Sequence, residues 1–396
     1  MFKPFQYSHL CFYGLIAMVF LSACKRDEKE EDCDEQIIIV SPDTSSAITP
    51  HYNPTINQAL YWFSKMQNDN GLLESTANSN FVSLYDNALS ALVFIANEDF
   101  EKAEQIFNFF NARIETELQS GSGGFHQFRD AAGNPNGNRW LGDNAWLLIA
   151  LNNYHEKTGN TNYEELSSAL DAWIISLQDS DGGLWGGIAA DGTQIGKVTE
   201  GMIDAFNAVN GYTSFHADLL HYLENNRWNA IDELFISWPD NTYEYALDNF
   251  AWGYCVFENF PTHTLIDANI FWCTQAATQN NYNVSGYCFD IDQDVVWLEG
   301  TGQMVVAFQK AGDMASANFY LKEMEKVLSA SPGITNGLGL PYATNLATGY
   351  GSGLLWNGSD TSPCVSSTAW YVLGMLQFDP FATGYAKNIP SSDKFW

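Results

Sequence analysis

Gly142-Asp143-Asn144-Ala145-Trp146, running on into Leu147-Leu148-Ile149-Ala150-Leu151, decides the fold. It sets an acidic residue at the start of an apolar, helix-like run, and it has five counterparts. These are Tyr85-Asp86-Asn87-Ala88, Thr199-Glu200-Gly201-Met202, Leu247-Asp248-Asn249-Phe250, Leu298-Glu299-Gly300-Thr301 and, with hydroxyls for the acid, Ser366-Ser367-Thr368-Ala369-Trp370. The lead residues Asp86, Asp143, Glu200, Asp248, Glu299 and Ser367 stand 57, 57, 48, 51 and 68 residues apart. Such a step holds one helical hairpin and a variable loop, and a repeat of that length marks an array. Six hairpins predict an all-α toroid of about twelve helices with six polar helix starts at one mouth.

Each repeat reads as outer helix, connection, inner helix. Outer helices are expected at about 53–68 and near 100–118, 161–178, 214–226, 263–280 and 313–330. The first shows the amphipathic stripe of a surface helix in Leu60, Trp62, Phe63 and Met66. The runs after the six openings are apolar nearly all round, which requires burial. Connections into the inner helices are long and rich in Gly and aromatics, as in Gly121-Ser122-Gly123-Gly124-Phe125-His126 and Gly182-Gly183-Leu184-Trp185-Gly186-Gly187. The opposite turns, Lys157-Thr158-Gly159-Asn160 and Lys310-Ala311-Gly312-Asp313, are short. Long loops on one face give the body a working end.

Composition sets limits on partners. The 396 residues carry 47 Asp+Glu against 17 Lys+Arg, a formal net charge of −30. That field repels polyanions, so nucleic acid is excluded as a partner and a uronic-acid polymer is disfavoured. The N-terminus lies outside the fold. Lys3 precedes an apolar run, Leu10 to Leu21, too short to span a membrane comfortably and suited to a signal peptide over 1–23. The run ends Leu21-Ser22-Ala23-Cys24, which resembles a bacterial lipobox and implies lipid on Cys24. The charged stretch Lys25-Arg26-Asp27-Glu28-Lys29-Glu30-Glu31-Asp32 then opens a flexible tether over 24–50, leaving 51–396 for the toroid. The tether is similar to the export signals of surface lipoproteins in the Bacteroidetes. An outer-membrane lipoprotein, monomeric and facing the cell surface or the periplasm, is therefore expected. Of seven Cys, four lie in the body. Cys288 and Cys364 are the pair to test first for a disulfide, with buried free thiols as the alternative.

An Asp at a helix start has an ordinary explanation as a cap, and Asp86, Asp143 and Asp248 fit it singly. A ring of them invites another. Packed helices lie about 8–10 Å apart, so inward side chains from a hexagon bring carboxylates within several ångströms of each other. Glycosidases need two carboxyl groups about 5–5.5 Å or about 6.5–9.5 Å apart, one protonated and one ionised. Glu299, Glu200 and Asp143 are the expected catalytic residues. Glu caps poorly, and each Glu is followed by a Gly that leaves room for a ligand or backbone. Asp204, one turn after Glu200, supplies a second carboxylate or a surface ion pair. Asp86, Asp248 and Asp294 are expected substrate contacts. Trp140, Trp185, Trp297 and Trp356 in the mouth loops are candidate sugar platforms or packing groups, with Tyr342, Tyr350 and His126 beside them. No metal or other cofactor is required. Asp290, Asp292 and Asp294 alternate as a loose calcium site would, but Val295 and Thr301 occupy the places where an EF-hand needs Gly and Glu.

The pattern over about 53–380 resembles the six-hairpin glycosidase superfamily, whose fold is the (α/α)6 barrel. Gly142-Asp143-Asn144-Ala145-Trp146, with Tyr154, Thr158-Gly159-Asn160, Tyr163, Trp173 and Asp181 to Gly187, is distantly similar to the endo-α-1,6-mannanases. That family places two consecutive aspartates here, and this chain has Asp143 followed by Asn144. Asp86 and Asp143 also resemble the helix-start aspartates of unsaturated glucuronyl hydrolases. The resemblance implies a glycoside hydrolase acting on an oligo- or polysaccharide, neutral or weakly charged. Two alternatives stay open. Asn144 suits a silent glycan-binding lipoprotein, and a His126 or Tyr350 base would suit a polysaccharide lyase.

Overall fold

The structure is a computed structural model that describes residues 54–238, 245–278, 282–345, 362–384 and 387–396. The signal segment, Cys24, the tether, Tyr350 and Trp356 lie outside the described residues. Among the described residues there are twelve α-helices, alternating outer and inner. The outer ones are α1 (Pro54–Met66), α3 (Phe100–Asn111), α5 (Glu164–Ser176), α7 (Ser214–Asn226), α9 (His263–Trp272) and α11 (Met314–Glu325). The inner ones are α2 (Leu84–Ala96), α4 (Leu141–Thr158), α6 (Thr199–Ala208), α8 (Leu247–Val256), α10 (Leu298–Ala311) and α12 (Val365–Met375). Each inner helix packs on the next inner helix, and α12 packs back on α2. The ring is closed, and the fold is the expected (α/α)6 toroid.

The two layers follow from their sequences. Every residue of α4 from Leu141 to Leu151 is buried. In α3 burial falls on Ala103, Ile106, Phe107 and Phe110, one stripe of a surface helix. The outer helices end in a repeated device. Gln67 donates to the carbonyls of Gly71 and Lys102, and Gln178 to those of Gly182 and Phe215. Gly71 and Gly182 both stand at φ +90°, and a Cβ there would lie 2.3 Å from the backbone oxygens of Gln105 and Asp218. Only glycine lets the chain pass that close over the next outer helix.

Two outer segments depart from expectation. The segment near 100–118 breaks after Asn111, and Ile114–Leu118 forms a separate π-type turn. Its Glu117 pairs with the buried Arg129 and accepts from the His126 backbone N–H at 2.9 Å. The segment near 263–280 is helical only to Trp272. Cys273–Ala277 then pairs antiparallel with Asn283–Tyr287. The second strand is tied to later helices, Ser285 N–H to the Glu323 carboxylate at 2.8 Å and Tyr287 N–H to Thr301 Oγ1 at 3.0 Å. These distant partners override the local helical pattern. The Cys288–Cys364 bridge does not form. Both are buried free thiols, as is Cys255; Cys288 Sγ faces the Asp290–Asp294 loop, and Cys364 Sγ meets Ser366 Oγ at 3.8 Å.

The barrel axis is plugged. Tyr85, Trp146, Trp252 and Trp370 project from α2, α4, α8 and α12 and pack mostly edge to face, with centroids 5.4–5.7 Å apart for Trp146 against each of the other three. From the other end Phe381 comes within 5.0 Å of the Trp146 ring. Asn153 and Asn207, late in α4 and α6, donate to the carbonyls of Pro380 and Phe381 and hold that segment in place. Among the described residues the Pro380–Phe381 segment closes that end of the ring, opposite the loop-bearing mouth. Among the described residues no helix is long and apolar enough to cross a membrane.

Candidate active site

The five acids at the inner-helix starts are not caps. Ser83, Trp140, Val198, Ala246, Trp297 and Cys364 hold the N-cap places, and the carboxylates fall at the second or third helical residue. Capping by a side chain is seen once in the inner ring, where Ser83 Oγ accepts from Asp86 N–H at 3.3 Å. Asp248 still accepts from the Asn249 N–H at 2.6 Å, but none of the five acids holds an N-cap place. Asp86, Asp143, Asp248 and Glu299 are buried, Asp204 is 0 % exposed, and Glu200 keeps partial exposure.

A polar residue one or two places after the lead residue has the anchoring task in five of the six helices. Asn87 accepts from Leu73 N–H at 2.9 Å and donates to Leu73 O and Ser83 O. Asn144 accepts from Phe125 N–H at 2.8 Å and donates to Phe125 O and Trp140 O. Asn249 donates to Ser237 Oγ, while Thr301 and Thr368 accept from Tyr287 and Leu340 N–H. In five repeats a short polar side chain in the first turn clamps a mouth loop. Asn144 therefore faces a loop backbone, away from the acid ring.

Tyr85 organises the acids. Its hydroxyl donates to Glu299 Oε1 at 2.7 Å and accepts from Trp370 Nε1 at 3.1 Å. Gln303, one turn after Glu299, donates to the same oxygen at 3.4 Å. Burial pushes all six carboxyls up. Asp86 and Asp248 rise to about 7 and Glu299 to about 8, the last held down by Tyr85 and Ser366 and raised by Asp86 and Asp248. Asp143 is driven well above its ordinary value by burial and by Asp86. Glu200 is driven as far by burial and by Asp248, Asp143 and Glu299. Asp204 follows through burial, Glu200, Asp248 and Asp143, eased by Trp146. Among the described residues, no Lys or Arg figures in these influences. Their influence on one another places the six close together, and among the described residues no cation offsets them. Crowding of this kind separates proton affinities, which is what paired acid/base chemistry uses.

Solved structures share this frame. A glycosidase in complex with glucose matches with a TM-score of 0.58 at 11% identity, over 83% of this chain and 96% of that one. A sugar epimerase from a ruminal bacterium matches with a TM-score of 0.56 at 12% identity, over 82% and 96%. A cellobiose 2-epimerase from Bacillus thermoamylovorans matches with a TM-score of 0.54 at 11% identity, over 81% and 97%. At such identity the likeness is one of fold. No family model matches the chain, and no curated protein matches it by sequence.

Other expected residues fall outside the ring. Trp297 is 3 % exposed, packed 5.1 Å from Phe289 and over its own helix, so it is wall and not platform. A Cβ on Gly300 would lie 2.1 Å from its ring, and one on Gly201 would lie 3.3 Å from Gly142 N. The room beside both glutamates is filled by protein, not left for a ligand. Tyr342 is buried beside Trp297. Trp140 and Trp185 keep partial exposure, with Lys197 Nζ 5.0 Å from the Trp185 ring centre. His126 Nδ1–H donates to Gly137 O at 3.0 Å, and its charged neighbours are Arg139, Glu117 and Arg129, none of the ring acids. Asp290, Asp292 and Asp294 each place an oxygen 3.6–3.7 Å from Cys288 Sγ. A thiol at that centre suits calcium poorly, since calcium takes oxygen ligands. Tyr85, Gln303 and the indole floor were not anticipated. A signal existed: Trp146 and Trp370 each stand three residues after their lead residue.

Proposed function

We propose that the chain is a glycoside hydrolase that works at this mouth with Glu200 as general acid and Glu299, which ionises first as pH rises through about 8, as its partner. The observation that carries the assignment is the difference in hydrogen bonding between them. Glu299 receives Tyr85 and Gln303, which favour its charged form. Glu200 faces three acids, which favours its protonated form. Glu200 would give its proton to the leaving glycosidic oxygen. Glu299 would attack the anomeric carbon or activate water for that attack. Asp143 would keep the Glu200 proton in place, and Asp86, Asp204 and Asp248 would line the sugar hollow, with Trp140 and Trp185 further out.

A neutral or weakly charged glycan fits an uncompensated acid ring better than a polyanion does. Asn144 is occupied in holding a loop, so it gives no support to a silent binding protein. The lipobox supports attachment to the outer membrane through Cys24. Glu200→Gln and Glu299→Gln should each abolish reducing-sugar release across a glycan panel while the fold persists. Full activity in both variants would sink the assignment. Metabolic labelling with palmitate should be lost in Cys24→Ser.

A further inference from the structure

We infer that the sugar taken at this mouth carries a free amino group, protonated as an ammonium and held by the acid ring. The inference rests on the glycosidase proposal above and names its substrate class. Three observations carry it. First, six carboxyl groups from five inner helices meet with no cation among their main influences in the described residues. Second, Asp204 is fully buried beneath the others and neither of its oxygens has a hydrogen-bond donor. Its nearest donor, the Trp146 indole, lies out of bonding geometry. Third, unpartnered acceptors outnumber unpartnered donors there: Asp143 Oδ2 and Gln303 Oε1, both buried, also lack donors, against the indole N–H groups of Trp146 and Trp252, which lack acceptors.

A ligand that completes this site must bring donors and positive charge. A hydroxyl brings one donor and two acceptor positions, whereas an ammonium brings three donors and no acceptor. A divalent metal ion would also supply charge. It would have to shed water against the Tyr85, Trp146, Trp252 and Trp370 rings, which instead suit the apolar face of a sugar and attract an ammonium. The ammonium would sit over Asp143 and Asp248, leaving the Glu200 proton for the leaving group, and its charge would draw Asp204 into the ionised form as countercharge. The net charge of −30 draws such a substrate in from solution.

The test is calorimetric binding of the mature chain, near pH 7.5, where ring carboxyls that titrate at about 7–8 are part-ionised, to oligosaccharides in matched triples of the gluco, galacto and manno series. Each triple offers the free amine, its N-acetyl form and the parent hydroxyl sugar. The expected result is at least one amine bound about tenfold tighter than both its partners. That advantage should vanish in Asp143→Asn and Asp204→Asn, with folding checked by thermal melting. Equal or weaker binding of every amine, with neutral sugars bound or cleaved, overturns this inference and leaves the hydrolase proposal standing. Saturable binding of calcium chloride at the ring without any amine preference overturns it too. No binding or cleavage of any glycan overturns both.

Discussion

Glu299 has donors that Glu200 lacks, and this difference between two residues sets the chemistry. Removing one donor should show it. Tyr85→Phe takes the 2.7 Å hydrogen bond from Glu299, whose carboxyl already titrates at about 8. Its pKa should rise further, so the acidic limb of the kcat profile should move to higher pH, with kcat falling roughly tenfold or more. An unmoved limb would mean Glu299 is not the ionised partner. Stability gives an independent readout. Asp86, Asp248 and Glu299 hold protons in the folded state up to about 7, 7 and 8, which the unfolded chain releases near its ordinary carboxylate range. Their contribution is therefore fully present at acid pH and is lost as pH rises through about 7–8. Asp204→Asn removes a buried charge from the same ring. It should raise the melting temperature by about 2–4 °C or more at pH 8 and much less at pH 4.

Three inner helices carry two side-by-side instructions in the first turn, an acid for the ring and an Asn for the loop. Asn144 shows why the second matters. Asn144→Ala breaks its bonds to the Phe125 and Trp140 backbone and leaves buried groups unpaired. It should cost about 2–4 kcal/mol in chemical denaturation. Asn144→Asp recreates the paired aspartates of the mannanase pattern. It keeps the acceptor but loses both donations, so it should destabilise by about 1–3 kcal/mol and bring no gain in turnover. A gain would show that the second acid reaches the hollow. The pairing was visible as Asp-Asn in three repeats. Its division of labour was not, because the loop that Asn144 grips is 19 residues away in sequence.

The toroid is closed by a ring of helices and by a plug. Phe381 seals the end opposite the mouth against Trp146, Trp252 and Trp370, and Trp370 in turn donates to Tyr85. The plug is thereby linked to Glu299 through two side chains. Phe381→Ala should leave a cavity costing about 3–5 kcal/mol and should blue- or red-shift tryptophan emission. It should also lower kcat more than it weakens substrate binding, since the Tyr85–Glu299 contact loses its support. Unchanged kinetics in a folded variant would show that the plug and the site are uncoupled.

The amino-acid order by itself determined six hairpins, the outer and inner layers and a ring of acids at one end. Those features rest on periodic burial and step length, which are local properties repeated along the chain. Tertiary structure decided the roles. The helix after His263 gave way to a strand pair because Glu323 and Thr301 hold that strand from elsewhere. Trp297 turned inward, Cys288 and Cys364 stayed free, and Glu299 was set apart from Glu200 by a hydroxyl 214 residues distant. Such choices depend on which atoms meet across a closed ring at hydrogen-bond distance, and linear spacing carries no record of that.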